Sequence, residues 1–334
     1  MSKPIGIVPR LVLVGASAVF VLTWSSGFIL PKIVTAEAQV LTILFWRFMI
    51  AGSILALGIL WMRLRRGAPS RPAWRDIRPH LAIGFFAQVG YVLPIYLAVG
   101  AGVASGTTAL IDAIQPLVVA TLVGPLLGMR VRALQWVGLV LGAVGVALVV
   151  MTDAATMETP SPAYLLPLVA LASLVTATFL ERRSSARLSV FATMVTHAAV
   201  GLGALAILAG VTGTLAPPAS PAFWISTVAI AVVPTLIAYA LYWYLLRQLG
   251  ITVLNALLYL VAPTTAVIGA VLFAEPFTAA TMTGLLLGGI AVALVIAPGR
   301  AGAAGGVPAG AGASETAASE TVPVDSTRPG IPSR

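Results

Sequence analysis

The chain contains no cysteine and only two histidines, His80 and His197. The first absence excludes disulfides, thiolate metal sites, iron–sulfur clusters and cysteine nucleophiles. The second leaves no His-rich metal motif, and no metal or other cofactor is expected. Charge is scarce as well. Only 9% of the 334 residues are Asp, Glu, Lys or Arg, against roughly 25% in a soluble domain. So few charges cannot cover a water-facing surface, which excludes a soluble enzyme. What is abundant is apolar: 59% of residues are hydrophobic, and mean hydropathy is +1.04. They come in long runs rather than in alternation, which excludes a β-barrel. A membrane-spanning helix needs roughly 20 apolar residues, so the chain has room for about ten.

Gly, Pro and charge breaks place ten helices near 11–31, 38–62, 80–99, 104–127, 133–152, 163–181, 189–211, 223–247, 251–273 and 279–297. Lys3 and Arg10 before the first run resemble a signal-peptide start, but Leu11 to Leu30 is too long for its apolar core and lacks a clear cleavage site. The first run is therefore read as an uncleaved span. Basic residues test the number of spans. With the N-terminus inside, 17 of the 19 fall on the inner side: Lys3, Arg10, Arg63, Arg65, Arg66, Arg71, Arg75, Arg78, Arg130, Arg132, Arg182, Arg183, Arg187, Arg247, Arg300, Arg328 and Arg334. Lys32 alone lies outside, and Arg47 lies within the second span. This is the split that the positive-inside rule predicts, and one missed span would break it. The net charge of +9 is thus topology, so no nucleic-acid partner is expected, whereas anionic lipid headgroups suit the basic loops. Both termini are placed in the cytoplasm. The Gly-, Ala-, Ser- and Pro-rich stretch 298–334 has no apolar periodicity and reads as a disordered cytoplasmic tail.

The two halves of the chain resemble each other. From Gly138 the sequence is GLVLGAVGVALVV and from Gly284 it is GLLLGGIAVALVI, identical at eight of thirteen positions with an offset of 146. Tyr91 and Tyr96 correspond to Tyr239 and Tyr244, and Pro116 to Pro263. Each half holds five spans, and five is odd, so the halves run in opposite directions. The expected fold is an all-α integral membrane protein of ten transmembrane helices, with inverted five-helix repeats at 11–152 and 163–297. Inverted repeats are typical of secondary transporters, whose substrate sites lie near the midplane between them.

These residues carry a family resemblance. Trp24-Ser25-Ser26 in the first span, Phe45-Trp46-Arg47-Phe48 in the second, Pro116-Leu117 in the fourth, Pro263 followed by Glu275, and Gly138 and Gly284 occur in the order seen in EamA-type members of the drug/metabolite transporter superfamily. The resemblance covers roughly residues 11–297. It implies a carrier of amino acids or related metabolites, often an exporter, with proton coupling. One departure stands out. The family often has Glu after the fourth span, where this chain has Met129, the repeat equivalent of Glu275.

Ionisable groups inside a membrane are functional candidates by default. Asp112 in the fourth span and Arg47 in the second both sit roughly 12–14 Å deep, counted at 1.5 Å per residue. They are placed to form an ion pair. Such a pair either fixes the two spans together or binds a proton, a substrate ammonium and a substrate carboxylate. Thr108, Asp112 and Gln115 share one face of their helix, just before Pro116. Thr252, Asn255 and Tyr259 form a similar face before Pro263. Two proline-interrupted helices at matching places point to a cavity, although polar faces also serve as glue between helices. Tyr91 and Tyr96, with Tyr239, Tyr242 and Trp243, form a second lining, suited to an apolar or cationic metabolite or to packing. Trp24 is placed to gate or line from the first span. His197 sits at the depth of Arg47 in the opposite half, as a proton relay or as a neutral hydrogen-bonded histidine. Glu275, before Pro276, is a helix-end or gate residue. The Gly-x-x-x-Gly stretches allow close helix approach, either between the halves, which needs no partner, or in a homodimer.

The expected function is a secondary active transporter that exports a small-molecule substrate across the bacterial cytoplasmic membrane by proton-coupled alternating access. No Walker loop is present to make ATP the direct drive. A nucleotide-sugar or lipid-linked translocator would need several basic groups within spans, and Arg47 is alone there. A membrane-embedded enzyme lacks the H-E-x-x-H and G-x-S-x-G motifs.

Overall fold

Apolar runs with no water to bond their backbone must satisfy every N–H and C=O internally, and helices do so. The computed structural model describes residues 7–66, 72–127, 133–156, 159, 161–186 and 188–296, and it is all-helical there, without a strand. The expected tail at 298–334 and Met129 lie outside the described residues. The elements are α1 (Ile7–Val34), α2 (Val40–Arg66), α3 (Trp74–Gly84), a π-helical stretch (Phe85–Gly90), α4 (Val92–Gly100), α5 (Ser105–Ala113), α6 (Gln115–Leu127), α7 (Ala133–Thr156), a 3₁₀ turn (Ser161–Tyr164), α8 (Leu165–Arg183), α9 (Val190–Val211), α10 (Pro221–Val232), a second π stretch (Val233–Ile237), α11 (Ala238–Phe273) and α12 (Ala279–Ile296). Among the described residues nine helical segments are long and apolar enough to cross a membrane, and Ala279–Leu294 is a shorter apolar helix.

α11 holds parts of two spans, one ending at Leu249 and the next beginning at Ala256. Trp24 of α1 stacks on Tyr239 with ring centroids 5.6 Å apart. The next residue, Ser25, donates from its hydroxyl to the carbonyl oxygen of Val261 at 3.4 Å. Residues 239 and 261 of a straight helix would be about 33 Å apart. The path therefore reverses between them, and the eighth and ninth spans are antiparallel.

Helix neighbours follow the repeat. The second span (α2) packs on the seventh (α9), the fourth (α5) on the ninth (in α11), and the fifth (α7) on the tenth (α12). The first span (α1) packs on the ninth and, through α10 and its π stretch, on the eighth; correspondingly the sixth (α8) packs on the fourth and on the third (α3, α4). Moving each span on by five maps this set of neighbours onto itself. Small residues make the closest approaches on the seam: the backbone of Gly145 in α7 abuts Gly284 in α12, and Gly106 in α5 abuts Ala266 in α11. Of the Gly-x-x-x-Gly residues, Gly284 thus abuts α7, while Gly142 faces Leu117 and Ala291 and Gly288 faces Tyr259.

Two expectations need correction. The third span begins at Trp74, not near residue 80, so Arg75 and Arg78 lie on its first turns rather than in a loop. Pro116 does interrupt the fourth span, at Ile114 between α5 and α6, because proline offers no N–H and crowds the preceding turn. Pro263 does not: the helix continues through it. The irregularities that correspond between halves are instead the π stretches, Phe85–Gly90 and Val233–Ile237, offset by 148 and each followed closely by a tyrosine, Tyr91 and Tyr239. In the second, the Thr235 hydroxyl bonds the carbonyl of Ile230, five residues back, at 2.7 Å.

Candidate functional site

α2 carries Arg47 into the interior, where the residue is 6% exposed. Its Nε donates to Thr235 Oγ1 at 3.0 Å and its Nη1 to Tyr96 Oη at 3.0 Å. The guanidinium also lies 5.5 Å from the ring centres of both Phe48 and Tyr96. One side chain thereby joins the second, third and eighth spans, and it reaches the eighth at the π stretch. π stretches occur frequently at functional sites. The expected ion pair with Asp112 does not form. Among the described residues the one salt bridge is Lys32–Glu275, so Arg47 sits buried without a carboxylate. Desolvating an unpaired guanidinium is costly, and the two hydroxyls that it bonds are neutral.

Asp112 is half-buried near the end of α5, and its Oδ1 is enclosed without a hydrogen-bond partner. Tyr91 lies beside it and is also within electrostatic reach of Arg47 and Tyr239. Tyr91 therefore stands between the two charged groups. Gln88, buried in the first π stretch, lies against Tyr239. Trp24 packs on Tyr239, on Tyr242 at 5.8 Å and on Phe20 at 5.3 Å. Trp243 contacts Tyr242 edge-on. The structure thus brings Trp24, Arg47, Tyr91, Tyr96, Tyr239, Tyr242 and Asp112 into one neighbourhood between the halves.

Other candidates lie apart from it. Thr108 is fully buried and its hydroxyl returns to its own helix, at Ala104 O, 3.0 Å away. Gln115 donates to Thr178 Oγ1 at 3.1 Å, tying the fourth span to the sixth. The Tyr259 hydroxyl donates to the carbonyl of Leu285, and its ring lies on Gly288 and Gly289. Its polar atom therefore joins the ninth and tenth spans rather than lining a cavity. The side chains of Thr252 and Asn255 lie outside the described residues. Pro116 and Pro263 are half-buried in their helices. A groove of about 490 Å³ between α6 and α8, bordered by Val118, Val175 and Phe179, includes none of the expected residues.

His197 meets a partner that no sequence spacing announced. His80 Nδ1 and His197 Nε2 approach to 3.5 Å, with both residues buried. The only two histidines of the chain, 117 positions apart, thus form a contact between the third and seventh spans. Gly84 leaves the room that His197 fills. At the opposite end of the bundle, Glu275 ion-pairs with Lys32 at 2.6 Å. Sequence reasoning set Lys32 aside as a lone outer charge and did not single out Thr235, Gln88, Ser105 or Asp153. For Asp153, 2% exposed, the available signal was a carboxylate at the end of an apolar run.

Residues 12–151 and 161–297 each match the EamA-like transporter family. The chain belongs to that family. This EamA protein is accordingly a multi-pass membrane transporter of the drug/metabolite type, with the family domain present twice and the two copies meeting at the Arg47–Tyr91–Tyr239 neighbourhood. No curated protein matches it. Among solved structures 27 chains match. One, described only as "Crystal structure of protein", aligns over 86% of this chain and 97% of its own with a TM-score of 0.54 and 21% identity. That likeness concerns the fold.

Proposed function

We propose that this EamA protein is a secondary active carrier exporting a small zwitterionic metabolite, an amino acid or a close relative, with proton coupling. The observation that carries this reading is the pair of unmatched opposite charges. Arg47 has no carboxylate and Asp112 no cation among the described residues; Asp112 Oδ1 is enclosed without a donor, and Tyr91, the hydrogen-bond partner of the Asp112 carboxyl, is also within electrostatic reach of Arg47. A substrate carboxylate on Arg47 and an ammonium on Asp112 would satisfy both and remove the cost of leaving them unpaired. The wall of Trp24, Tyr239 and Tyr242 suits an apolar or aromatic side chain. In the empty carrier a proton on Asp112 takes the place of the ammonium, which gives exchange of proton for substrate. The basic helix ends face the cytoplasm of a bacterial cell in this reading, and the neighbour pattern that repeats every five spans supports alternating access by rocking of the two halves.

The test is uptake into proteoliposomes with an imposed pH gradient, using neutral amino acids, cationic amines, organic acids and nucleosides, alongside Asp112→Asn. Neutral amino acids are expected to accumulate only with the gradient. Asp112→Asn is expected to abolish gradient-driven accumulation and to leave binding to Arg47 weak but measurable. Wild-type accumulation in the variant would assign Asp112 to packing, and movement of none of the panel would remove the metabolite carrier.

A further inference from the structure

The end of the bundle that holds Lys32 and Glu275 is closed by a built contact. α11 stops at Ala274, which adopts the left-handed conformation with φ 52°, unfavourable for a residue with a Cβ. Glu275 N then bonds Gly269 O at 3.3 Å. The turn throws the Glu275 side chain back over Gly269, and a Cβ at position 269 would occupy the space of that carboxylate. The carboxylate lands on the first turn of α5. Oε1 and Oε2 each accept from Ser105 N at 3.0 Å, and Oε1 also accepts from Ser105 Oγ at 3.1 Å. On its other side Oε1 receives the Lys32 ammonium from the end of α1 at 2.6 Å. The adjacent amide, Ala104 N, donates to Asp153 Oδ2 at 3.2 Å, from the end of α7. The ends of the first, fifth and ninth spans therefore converge on the start of the fourth. A carboxylate there satisfies helix N-terminal amides and the positive end of the helix dipole, and burial to 6% exposure strengthens each bond.

We propose that Glu275 is a latch that holds the end bearing Lys32 shut in the substrate-free carrier. Alternating access is an equilibrium between two closures, and a contact made in only one of them shifts the populations by its differential free energy. In the orientation proposed above the empty carrier faces the cytoplasm, where a substrate for export arrives. To release it outside, the carrier breaks the Lys32–Glu275–Ser105 contact on each cycle.

The chain has no cysteine, so one introduced thiol is the only one. The reporter is Thr108→Cys, on α5 one turn below Ser105, and the probe is a membrane-impermeant methanethiosulfonate applied to sealed vesicles of either orientation, without substrate. The expected result is slow reaction from the Lys32 side in the otherwise native carrier. Glu275→Gln and, independently, Lys32→Met each raise that rate, by about tenfold for a population shift of one decade. A fast reaction in the native background, or no change in both latch variants, overturns the latch. Because labelling is read without substrate and from both faces, it stands or falls separately from the zwitterion assay and from the orientation.

Discussion

Arg47→Met is expected to reduce uptake in proteoliposomes by roughly 100-fold or more. The physical basis is the loss of one partner of a buried charge pair with substrate, about 3–5 kcal/mol, at 1.4 kcal/mol per tenfold. The variant also strands the fully buried Tyr96 hydroxyl, which costs about 1–3 kcal/mol of stability, so elution from size exclusion in detergent must accompany the flux. Arg47→Lys is the discriminating companion. A lysine keeps the charge but cannot aim two donors at Thr235 and Tyr96 as a guanidinium does. It is expected to recover folding and only a minor part of the flux. Uptake in Arg47→Lys equal to wild type would show that a charge suffices at that depth. Uptake in Arg47→Met above half of wild type would remove Arg47 from the substrate site.

Gly284→Leu is expected to give the largest loss of stability among single substitutions on the seam between α7 and α12. A Cβ at position 284 would run into the Val149 side chain and the Gly145 carbonyl, and one at position 145 would run into the Gly284 carbonyl. Backbone cannot yield as a flexible side chain does, so the two helices must separate. Overpacking a fitted interior costs roughly 1–3 kcal/mol per site and sometimes more, and leucine adds a whole isobutyl group. The measurement is the thermal midpoint of the detergent-solubilised protein, which moves roughly 2–4 °C per kcal/mol in a folded unit of moderate size. Gly203→Leu on α9, where a Cβ meets nothing within 4 Å, is the control and should leave the midpoint in place. Equal midpoints for the two variants would mean that the close approach of Gly145 and Gly284 contributes nothing to stability.

Much of the architecture was readable before any tertiary structure. Apolar run length located the spans to within a few residues, except at Trp74, where Arg75, Pro79 and His80 made the first turns of the third span look like loop. The offset of 146 between the glycine stretches announced the repeat, and that repeat reappears in which helix packs on which. Of the candidate site, Trp24, Arg47, Tyr91, Asp112, Tyr239 and Tyr242 were legible because polar and aromatic groups are rare in a chain this apolar, and each rare group stands out.

The partners were not legible. Arg47 and Asp112 stand at one depth in the second and fourth spans, and depth alone suggested an ion pair. Which way each side chain points is set by helix rotation, and rotation turned Arg47 to Tyr96 and Thr235 instead. Prolines marked where a helix lacks a donor, but whether the helix breaks depends on its neighbours: Pro116 ends α5, while α11 absorbs Pro263. The π stretches left no signature in the sequence, since an extra residue per turn is held by contacts such as Thr235 with Ile230 and Arg47.

Composition and spacing by themselves determined an all-helical, twice-repeated membrane protein, because hydrophobic run length, basic-residue placement and repeat offset are properties of the chain alone. Only the tertiary structure decided that His80 meets His197, that Glu275 joins Lys32 to the start of α5, and that Arg47 and Asp112 stay apart. Such pairings link residues tens to hundreds of positions apart, and helix rotation and packing, which no local pattern encodes, choose them.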